Sequence, residues 1–293
     1  MSAPLVAGVE LGGTKCVCIL GTGPDDVRAI ERISTTTPAV TLAAIEAVLD
    51  GWRGFAALGI SSFGPVGIDR AAPDWGHITA TTKPGWSSTD IAPRLATRYG
   101  VPVGFDTDVV GAALAEARWG AAQGLADLAY VTIGTGVGVG LIAGGKPLSG
   151  LTHAELGHIR PRRLAGDAFP GICSFHGDCV EGLASGPAIA ARAGEPGDSL
   201  AADDKTWLPV ADAIAQLCHM LVMSGLPRRI VFGGGVAVGT PHLLPRVRVA
   251  LVESLGAYGN HDLIGDPEAF IVPAALGDRA GPLGAILLGQ AAI

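Results

Sequence analysis

Charged residues are scarce in this chain: only 16% of its 293 residues are Asp, Glu, Lys or Arg, and the formal net charge is -7. Because nucleic acids and anionic membrane surfaces attract basic proteins, this balance argues against both as partners. No stretch approaches the ~18 apolar residues that a membrane-spanning helix needs. The N-terminal residues also lack the basic start and the long apolar core of a signal peptide. The sequence therefore predicts a protein without membrane attachment.

Cysteine is also rare, and the five cysteines are too few for a disulfide framework in a chain of this size. Two of them lie in a metal-binding pattern described below, which leaves Cys16, Cys18 and Cys218. Cys16 and Cys18 point to the same face of a predicted strand, and we interpret them as small buried residues rather than ligands. A reducing cytoplasm is the expected location.

Glycine is plentiful instead, with 44 residues, about twice the usual share of ~7%. The glycines follow no collagen-like period and cluster in short turns, which suggests backbone pressed close to ligands. The segments 5–20 and 128–143 each read as strand, glycine turn and strand, and they form a weak internal repeat. Two halves of this kind, with their glycine hairpins facing a cleft, would hold phosphate between them.

The first glycine turn, Gly12-Gly13-Thr14-Lys15, has two interpretations. Its backbone N–H groups could approach an anion, and Thr14 or Lys15 could contact a phosphate. It could equally be an ordinary hairpin turn. Glu10 stands just before the turn, where an acid could orient Mg²⁺ through water.

Two further glycine turns follow predicted strands. One contains Gly134, Thr135 and Gly136, and an alternating apolar segment follows it rather than a helix. That order weakens a dinucleotide-binding interpretation and favours a hairpin that grips phosphate. The other turn is Gly233 to Gly235, after a buried strand at residues 229–232.

Polar residues follow the predicted strand at 101–105. Asp106, Thr107 and Asp108 stand at its carboxyl end, before a helix that runs through Ala121. Acids at this position often carry chemistry in open α/β sheets. Either aspartate could instead cap the helix, and periodicity does not separate them.

Several other segments have simple local patterns. Residues 38–50 predict a helix, and residues 89–99 predict another that starts near the N-cap candidate Thr89. Residues 269–272 predict a strand. The loop 75–86 is rich in threonine and tryptophan and contains Lys83; it suits a polyol ligand, unless its tryptophans pack inward.

The stretch 153–181 contains four nitrogen and sulfur groups of the kind that zinc prefers: His158, Cys173, His176 and Cys179. Few apolar residues lie between them, so the segment needs a bound metal ion to hold a single conformation. Four ligands fill a tetrahedral shell, whereas a catalytic zinc keeps one position open. The pattern therefore predicts a structural zinc that fixes the flanking acids Glu155 and Glu181.

The whole chain resembles the ROK family of sugar kinases and repressors, within the actin-like and hexokinase-like superfamily. The resemblance lies in GVELGGTK, DTDVVGAALAE, IGTGVGVG, HAELGH, the cysteine-bearing loop and FGGGV, which occur in family order. Within the family, Glu10 and the loop FPGICSFHGDCVEGLASGPAI are similar to those of bacterial fructokinases. The resemblance implies an α/β, two-domain actin-like (ribonuclease H-like) fold with a cleft between the domains.

The resemblance also implies domains and an activity. We expect an N-terminal domain at 1–109, with a helix at 281–293 packed back on it, and a C-terminal domain at 110–280 that carries the zinc loop. The implied reaction is transfer of phosphate from ATP, with Mg²⁺, to a hexose. D-fructose, giving fructose 6-phosphate, is the first choice. The expected assembly is a homodimer.

Site residues follow from the same resemblance. Asp108 matches the catalytic base, and the zinc ligands are the four residues named above. The candidate sugar contacts are Glu155, His158, Glu181, Thr107, Gly64 and Pro65. The candidate nucleotide contacts are Gly12, Gly13, Thr14, Lys15, Gly134, Thr135, Gly136, Gly233, Gly234 and Gly235. The family's usual Asn-Asp pair is Thr107-Asp108 here, and Val110 or Gly111 replaces a frequent asparagine, which bears on sugar selectivity.

Three rival functions remain at this point. One is a kinase for mannose, glucose or an amino sugar. Another is a ROK-type sugar-sensing repressor, which would carry an N-terminal helix-turn-helix that we do not expect here because the chain begins almost directly at its first strand. The third is a zinc hydrolase, which would need an open metal position.

Overall fold

The computed structural model describes residues 3–259 and 262–293 and divides into two compact units. The first unit comprises Met1–Trp119, Leu148–His153 and Asp278–Ile293. The second comprises Gly120–Pro147 and Ala154–Gly277. The first unit thus extends ten residues beyond the expected boundary at 109, because the helix that starts at Asp108 packs against the helix near the C-terminus.

The strands and helices of the described residues are as follows. The strands are β1 Val6–Leu11, β2 Lys15–Gly23, β3 Asp26–Ser34, β4 Ala57–Ser62, β5 His77–Ile78, β6 Thr89–Asp90, β7 Val103–Thr107, β8 Leu128–Ile133, β9 Val137–Ala143, β10 Lys146–Pro147, β11 Ile230–Gly233 and β12 Ile271–Pro273. The α-helices are α1 Pro38–Gly51, α2 Ala92–Tyr99, α3 Asp108–Trp119, α4 Val180–Ala184, α5 Gly186–Ala193, α6 Trp207–Met220, α7 Gly235–Gly239, α8 Leu243–Leu255, α9 Pro267–Phe270 and α10 Ala280–Gln290.

The sheet of the first unit has the order β3-β2-β1-β4-β7. Strands β1, β2 and β3 are antiparallel neighbours, and β4 and β7 continue the sheet parallel to β1. Strand β4 is buried along its whole length, as expected for a strand covered on both faces. Strand β3 is mostly exposed and charged, which suits the edge of a sheet because charges there discourage pairing with other chains.

Helix α10 lies directly on this sheet. A Cβ atom on Gly59 would stand 1.7 Å from the Ala285 carbonyl oxygen, and one on Gly104 would stand 1.9 Å from that of Leu288. Only glycine leaves room for so close an approach of helix and strand backbones. The glycines of β4 and β7 therefore permit the helix to cover the sheet.

The sheet of the second unit has the order β10-β9-β8-β11-β12 and repeats the pattern of the first. Strands β8 and β9 form an antiparallel hairpin, and β11 and β12 continue parallel to β8. The two repeated segments of the sequence, 5–20 and 128–143, therefore form equivalent hairpins in the two sheets. Each sheet has a glycine turn between its first two strands, at residues 12–14 and 134–136.

Helix α6 and the turn after it, Trp207–Gly225, could cross a membrane by length and composition alone. Half of this stretch is buried inside the protein. Trp207, Ile214 and Leu217 lie in the apolar core of the second unit, and α6 packs against α8 there. We therefore interpret α6 as a core helix, which passes the same test of length and hydropathy.

Two local predictions are wrong. Thr89 does not cap a helix but pairs with Ile78 in the small β5–β6 sheet, and α2 begins only at Ala92. Pro93 suits that start because proline fits the first turn of a helix. The predicted strand at 269–272 begins later, at Ile271, because the Asp266 side chain accepts the Glu268 N–H and caps the short helix α9.

Candidate functional site

Four predicted ligands converge in the second unit. Donor atoms of His158, Cys173, His176 and Cys179 all lie within 4.8 Å of one another. The Cys173 Sγ lies 3.7 Å from the Nδ1 atoms of both His158 and His176, and the Cys179 Sγ lies 3.6 Å from His158 Nδ1. A tetrahedron with Zn–S of ~2.3 Å and Zn–N of ~2.0–2.1 Å has S···N edges of about 3.5 Å. The donor set and its spacing therefore fit zinc.

Short local structures aim these ligands. His158 ends a single 3₁₀ turn, Leu156–His158, and Cys179 is the N-cap of α4. Cys173 and Gly177 exchange two backbone hydrogen bonds of 3.1 and 2.9 Å, which close a tight loop around His176. Burial raises the pKa of the Cys179 thiol to about 11. Since thiolates bind metal, occupation of the site would release that proton.

A half-buried ion network holds the rest of the loop. The Asp167 carboxylate accepts two bonds from Arg192 of α5, at 2.6 and 3.0 Å, and one of 2.8 Å from Arg163. Arg163 also reaches Asp178, just before Cys179, at 3.2 Å. These arginine bonds hold the pKa of Asp167 well below its usual range. The loop is thus attached to α5 independently of the metal cluster.

Glu181 connects the cluster to the second glycine turn. Its Oε1 lies 4.0 Å from His158 Nε2, on the side of the ring opposite the cluster, and its Oε2 accepts the Val137 N–H at 3.1 Å. A Cβ atom on Gly136 would stand 2.6 Å from the same Oε2. Carboxylates in this position commonly orient a metal-bound histidine.

Glu155 is the second acid of this region. It precedes the 3₁₀ turn that ends at His158, and its carbonyl oxygen accepts the His158 N–H at 3.0 Å. Burial raises the pKa of Glu155, with His158 nearby opposing and Glu181 nearby adding to the rise. The structure therefore brings Glu155, His158 and Glu181 together in the second unit.

In the first unit, the junction of β7 and α3 resolves a question that the sequence left open. The Thr107 hydroxyl accepts the Val110 N–H at 3.2 Å, so Thr107 is the residue that caps α3. Asp108 Oδ1 accepts the Val109 N–H at 2.9 Å, and Asp106 Oδ1 accepts the Thr107 N–H at 2.7 Å. Thr107 is only 4% exposed.

Glu10 lies near Asp108 in the same unit. Burial, followed by the charge of Asp108, raises the pKa of Glu10 to about 7, and Lys15 opposes this rise. Its carboxylate packs against Gly281 at the start of α10, where a Cβ atom would stand 2.0 Å from Oε1. A carboxylate held in this way gains from a nearby cation, which agrees with the interpretation of Glu10 as a partner of Mg²⁺.

The loop after β4 is held by a residue that sequence reasoning missed. The Val66 N–H donates to the Nε2 of His153 at 3.0 Å, directly after the cis Gly64–Pro65 bond. His153 is buried and also lies near Asp106. Burial raises the pKa of Asp106 to about 6, and the Thr107 N–H offsets part of that rise. The HAELGH motif was the available signal for His153.

The loop 75–86 follows the inward-packing alternative. Trp86 is 0% exposed, and its indole N–H donates to the Thr36 carbonyl oxygen at 2.8 Å. Trp75 packs edge-on against Phe105. The tryptophan faces are therefore used within the first unit.

The glycine turns of the second unit lie side by side. The Gly134 carbonyl oxygen accepts the Gly186 N–H at 2.8 Å, and a Cβ atom on Gly134 would stand 3.9 Å from the Gly235 nitrogen. Beside them is a cavity of about 390 Å³. Its lining includes Pro187, Ile189, Trp207, Gly235, Val236 and Thr240.

Comparisons with known proteins show which family and which fold the chain matches. The model of the family described as "ROK family" matches residues 6–292. The chain is 40% identical to a fructokinase of Pediococcus pentosaceus over 291 residues, 99% of each chain, and 42% identical to a fructokinase of Zymomonas mobilis subsp. mobilis, covering 97% of this chain and 96% of that protein. A solved ROK family glucokinase from Streptomyces griseus, in complex with glucose and AMPPNP, matches with a TM-score of 0.77 at 26% identity, over 98% of this chain and 99% of that one. The predicted fold class is confirmed.

Proposed function

The chain belongs to the ROK family, and from that premise we propose that it transfers the terminal phosphoryl group of ATP to D-fructose, giving fructose 6-phosphate. The predicted enzyme class, an ATP-dependent sugar kinase of the fructokinase branch, is confirmed. One observation carries the choice of fructose: relatives at 40% and 42% identity over almost the full chain are fructokinases, whereas the glucokinase is 26% identical.

Asp108 is the proposed base. Its Oδ1 accepts the Val109 N–H, which fixes the direction of the carboxylate at the start of α3. In the reaction Asp108 takes the proton of the sugar hydroxyl while the oxygen bonds to the terminal phosphorus, and the bond to the bridging oxygen of ADP breaks. Asp106 makes an equivalent bond to the Thr107 N–H, so the choice of Asp108 rests on its match to the catalytic position of the family.

The sugar contacts are proposed in each unit. In the second unit, Glu155 and Glu181 offer carboxylates to hydroxyl groups, and His158 Nε2 lies on the same side as Glu181. In the first unit, the backbone at Gly64 and Pro65 is held by the His153–Val66 bond. The Thr107 hydroxyl oxygen accepts the Val110 N–H of α3, and this bond does not use the hydroxyl proton. Thr107 can therefore donate that proton to a sugar hydroxyl.

The nucleotide contacts are proposed at the three glycine turns. The turns at Gly134–Gly136 and Gly233–Gly235 lie together in the second unit, beside the apolar cavity described above. A cavity lined by proline, isoleucine and tryptophan suits a flat base such as adenine. In the first unit, the Gly12–Lys15 turn and Glu10 are the proposed partners of the phosphates and of Mg²⁺, which lowers the charge of the phosphates when bound.

We also propose a structural zinc at His158, Cys173, His176 and Cys179. The S···N spacing supports it, and four protein ligands leave no position for a substrate. The ion would hold Glu181 and Glu155 in place through His158. The cytoplasmic location and the homodimer remain predictions; sedimentation of the purified protein tests the homodimer.

A panel of hexoses in a coupled assay of ADP release tests the function. We expect the highest kcat/KM with fructose, and a product whose phosphate resonance couples to the protons at carbon 6. Glucose, mannose or an amino sugar as the best substrate would contradict the choice of sugar while leaving the kinase class intact. Sugar binding without turnover, accompanied by a DNA gel shift, would favour the regulator instead.

A further inference from the structure

The first glycine turn has all of its carbonyl oxygens occupied by protein donors. The Gly12 oxygen accepts the Thr35 hydroxyl at 2.7 Å, and the Thr14 oxygen accepts the Thr35 N–H at 2.9 Å. The Lys15 oxygen accepts the Gly12 N–H at 3.1 Å. The Gly13 oxygen accepts from the Lys83 ammonium at 2.5 Å, across 70 residues of sequence.

The N–H groups of the same turn are differently placed. Gly13 and Thr14 are exposed, and within residues 3–259 and 262–293 their N–H groups have no protein acceptor. The turn therefore presents donors, while its acceptors are already used. Adjacent N–H groups that face the same way form an anion site. A carbonyl oxygen without a donor beside these N–H groups would repel the anion. The Gly13 carbonyl oxygen does not, because it accepts a hydrogen bond from Lys83.

Lys83 is held in this position by its own loop. Its carbonyl oxygen accepts the N–H of Trp86, whose buried ring meets Phe63 edge-on. The Lys83 ammonium lies 6.0 Å from the centre of the Phe63 ring. The Trp86 indole N–H donates to the carbonyl oxygen of Thr36, and the preceding residue, Thr35, is the one that bonds the glycine turn. The turn and the lysine loop are thus fixed to the same end of β3.

Lys83 also carries a charge that no ion pair neutralises within residues 3–259 and 262–293. In the described part of the chain no carboxylate lies within ion-pair distance of its ammonium. An ammonium has three N–H donors, and one of them is used by Gly13. The other donors and the full positive charge are available to a ligand.

From this geometry we propose that Lys83 is a phosphate-binding residue that grips the terminal phosphates of the nucleotide together with the Gly13 and Thr14 N–H groups. This inference rests on the proposed function and adds a residue to it. The transferred group gains negative charge on its outer oxygens, so a fixed cation beside it favours the transition state. In the alternative, Lys83 has a structural role only and stabilises the turn through its bond to Gly13.

The test compares Lys83→Gln with Lys146→Gln, which removes the same charge from the exposed edge strand β10 of the second unit. Calorimetry measures binding of AMPPNP, which has three phosphate groups, and of AMP, which has one. We expect Lys83→Gln to weaken AMPPNP by about 10- to 100-fold, since hydrogen bonds to charged groups contribute ~1.5–3 kcal/mol. AMP affinity and the melting temperature should change little, and kcat should fall with a fructose KM within about 3-fold of wild type.

The control variant should match wild type in every measurement. Equal losses for AMPPNP and AMP, or a matching drop in melting temperature, would show a bracing role and overturn the proposal. Unchanged AMPPNP affinity and turnover would also overturn it while leaving the kinase in place. Because AMPPNP binding is measured without turnover, a wild-type protein that phosphorylates no hexose would contradict the proposed function and still decide the role of Lys83.

Discussion

His153 and Val66 are 87 residues apart in the sequence, and the Val66 N–H donates to the Nε2 of His153 at 3.0 Å. An imidazole nitrogen that accepts a hydrogen bond carries no proton, so the ring is neutral in this geometry, with its proton on Nδ1. The bond fixes the loop that contains Gly64 and Pro65. It also places a buried imidazole near Asp106, two residues before the proposed base.

Replacing His153 with alanine should therefore affect both stability and sugar binding. The buried Val66 N–H would lose its acceptor, which costs about 1–3 kcal/mol. We expect this loss in urea unfolding, together with a higher KM for fructose. His153→Gln offers an amide oxygen and should recover part of both. Wild-type stability and KM in His153→Ala would contradict a positioning role for this side chain.

Asp108→Asn should keep substrate binding and lose turnover. The amide cannot accept the hydroxyl proton, so kcat should fall by ~10²- to 10⁴-fold, the usual contribution of a positioned base. Asp106→Asn is the matched control, because its amide oxygen can still accept the Thr107 N–H. We expect it to retain kcat within about 10-fold. If the two variants exchanged these results, Asp106 would be the base.

Elemental analysis should find one zinc ion per chain. Removing it by chelation should lower the melting temperature by about 5 °C or more, because loss of a ligand specific to the folded state destabilises that state. The fructose KM should rise at the same time, since His158 lies beside Glu181. Cys179→Ser should lose the ion, whereas Cys218→Ala, a change at a buried cysteine outside the cluster, should keep it. A metal-free protein with native stability and KM would refute a structural zinc.

Glu10 should make stability depend on pH. Its pKa rises from 4.5 to about 7 on folding, so the folded state holds the proton more tightly than the unfolded state. The contribution of Glu10 to the free energy of unfolding is therefore most favourable below pH 4.5. It falls as the pH rises from 4.5 through 7, by up to about 3 kcal/mol for a shift of this size.

Glu10→Gln removes this dependence. The variant should be more stable than wild type at pH 8 and nearly equal to it at pH 4.5, as measured by denaturant unfolding. Asp106 titrates in the same direction with a pKa of about 6, so the difference between the two proteins at each pH is the quantity to compare. A constant difference at both values would exclude the proposed burial of the Glu10 carboxyl. Lower turnover in the variant would support its role toward Mg²⁺.

Local sequence patterns were sufficient for most of the fold and for the metal cluster. Alternating and continuous apolar runs predicted β1, β2, β8, β9 and β11, because side-chain burial in a strand depends on near neighbours. Three of the four cluster residues lie in one short loop, and their chemistry is specific to metals. The same pattern included His158 and the two flanking acids, and the family resemblance added their expected role at the sugar.

The same patterns did not predict contacts between distant segments. Nothing local to Lys83 indicates that it reaches Gly13, and nothing local to His153 indicates that it reaches Val66. The capping of α3 shows another limit. Both aspartates flanking Thr107 are good N-cap residues, and the hydrogen bond from Val110 goes to the threonine because of where β7 ends.

The close fit of α10 on β4 has a consequence for how the molecule matures. The helix backbone occupies the space above Gly59 and Gly104, so this face of the strands is completed by α10. On a ribosome, residues 280–290 emerge after every segment of the second unit. The unit that is made first is therefore completed last, and one face of its central strands lacks its helix until translation is nearly over.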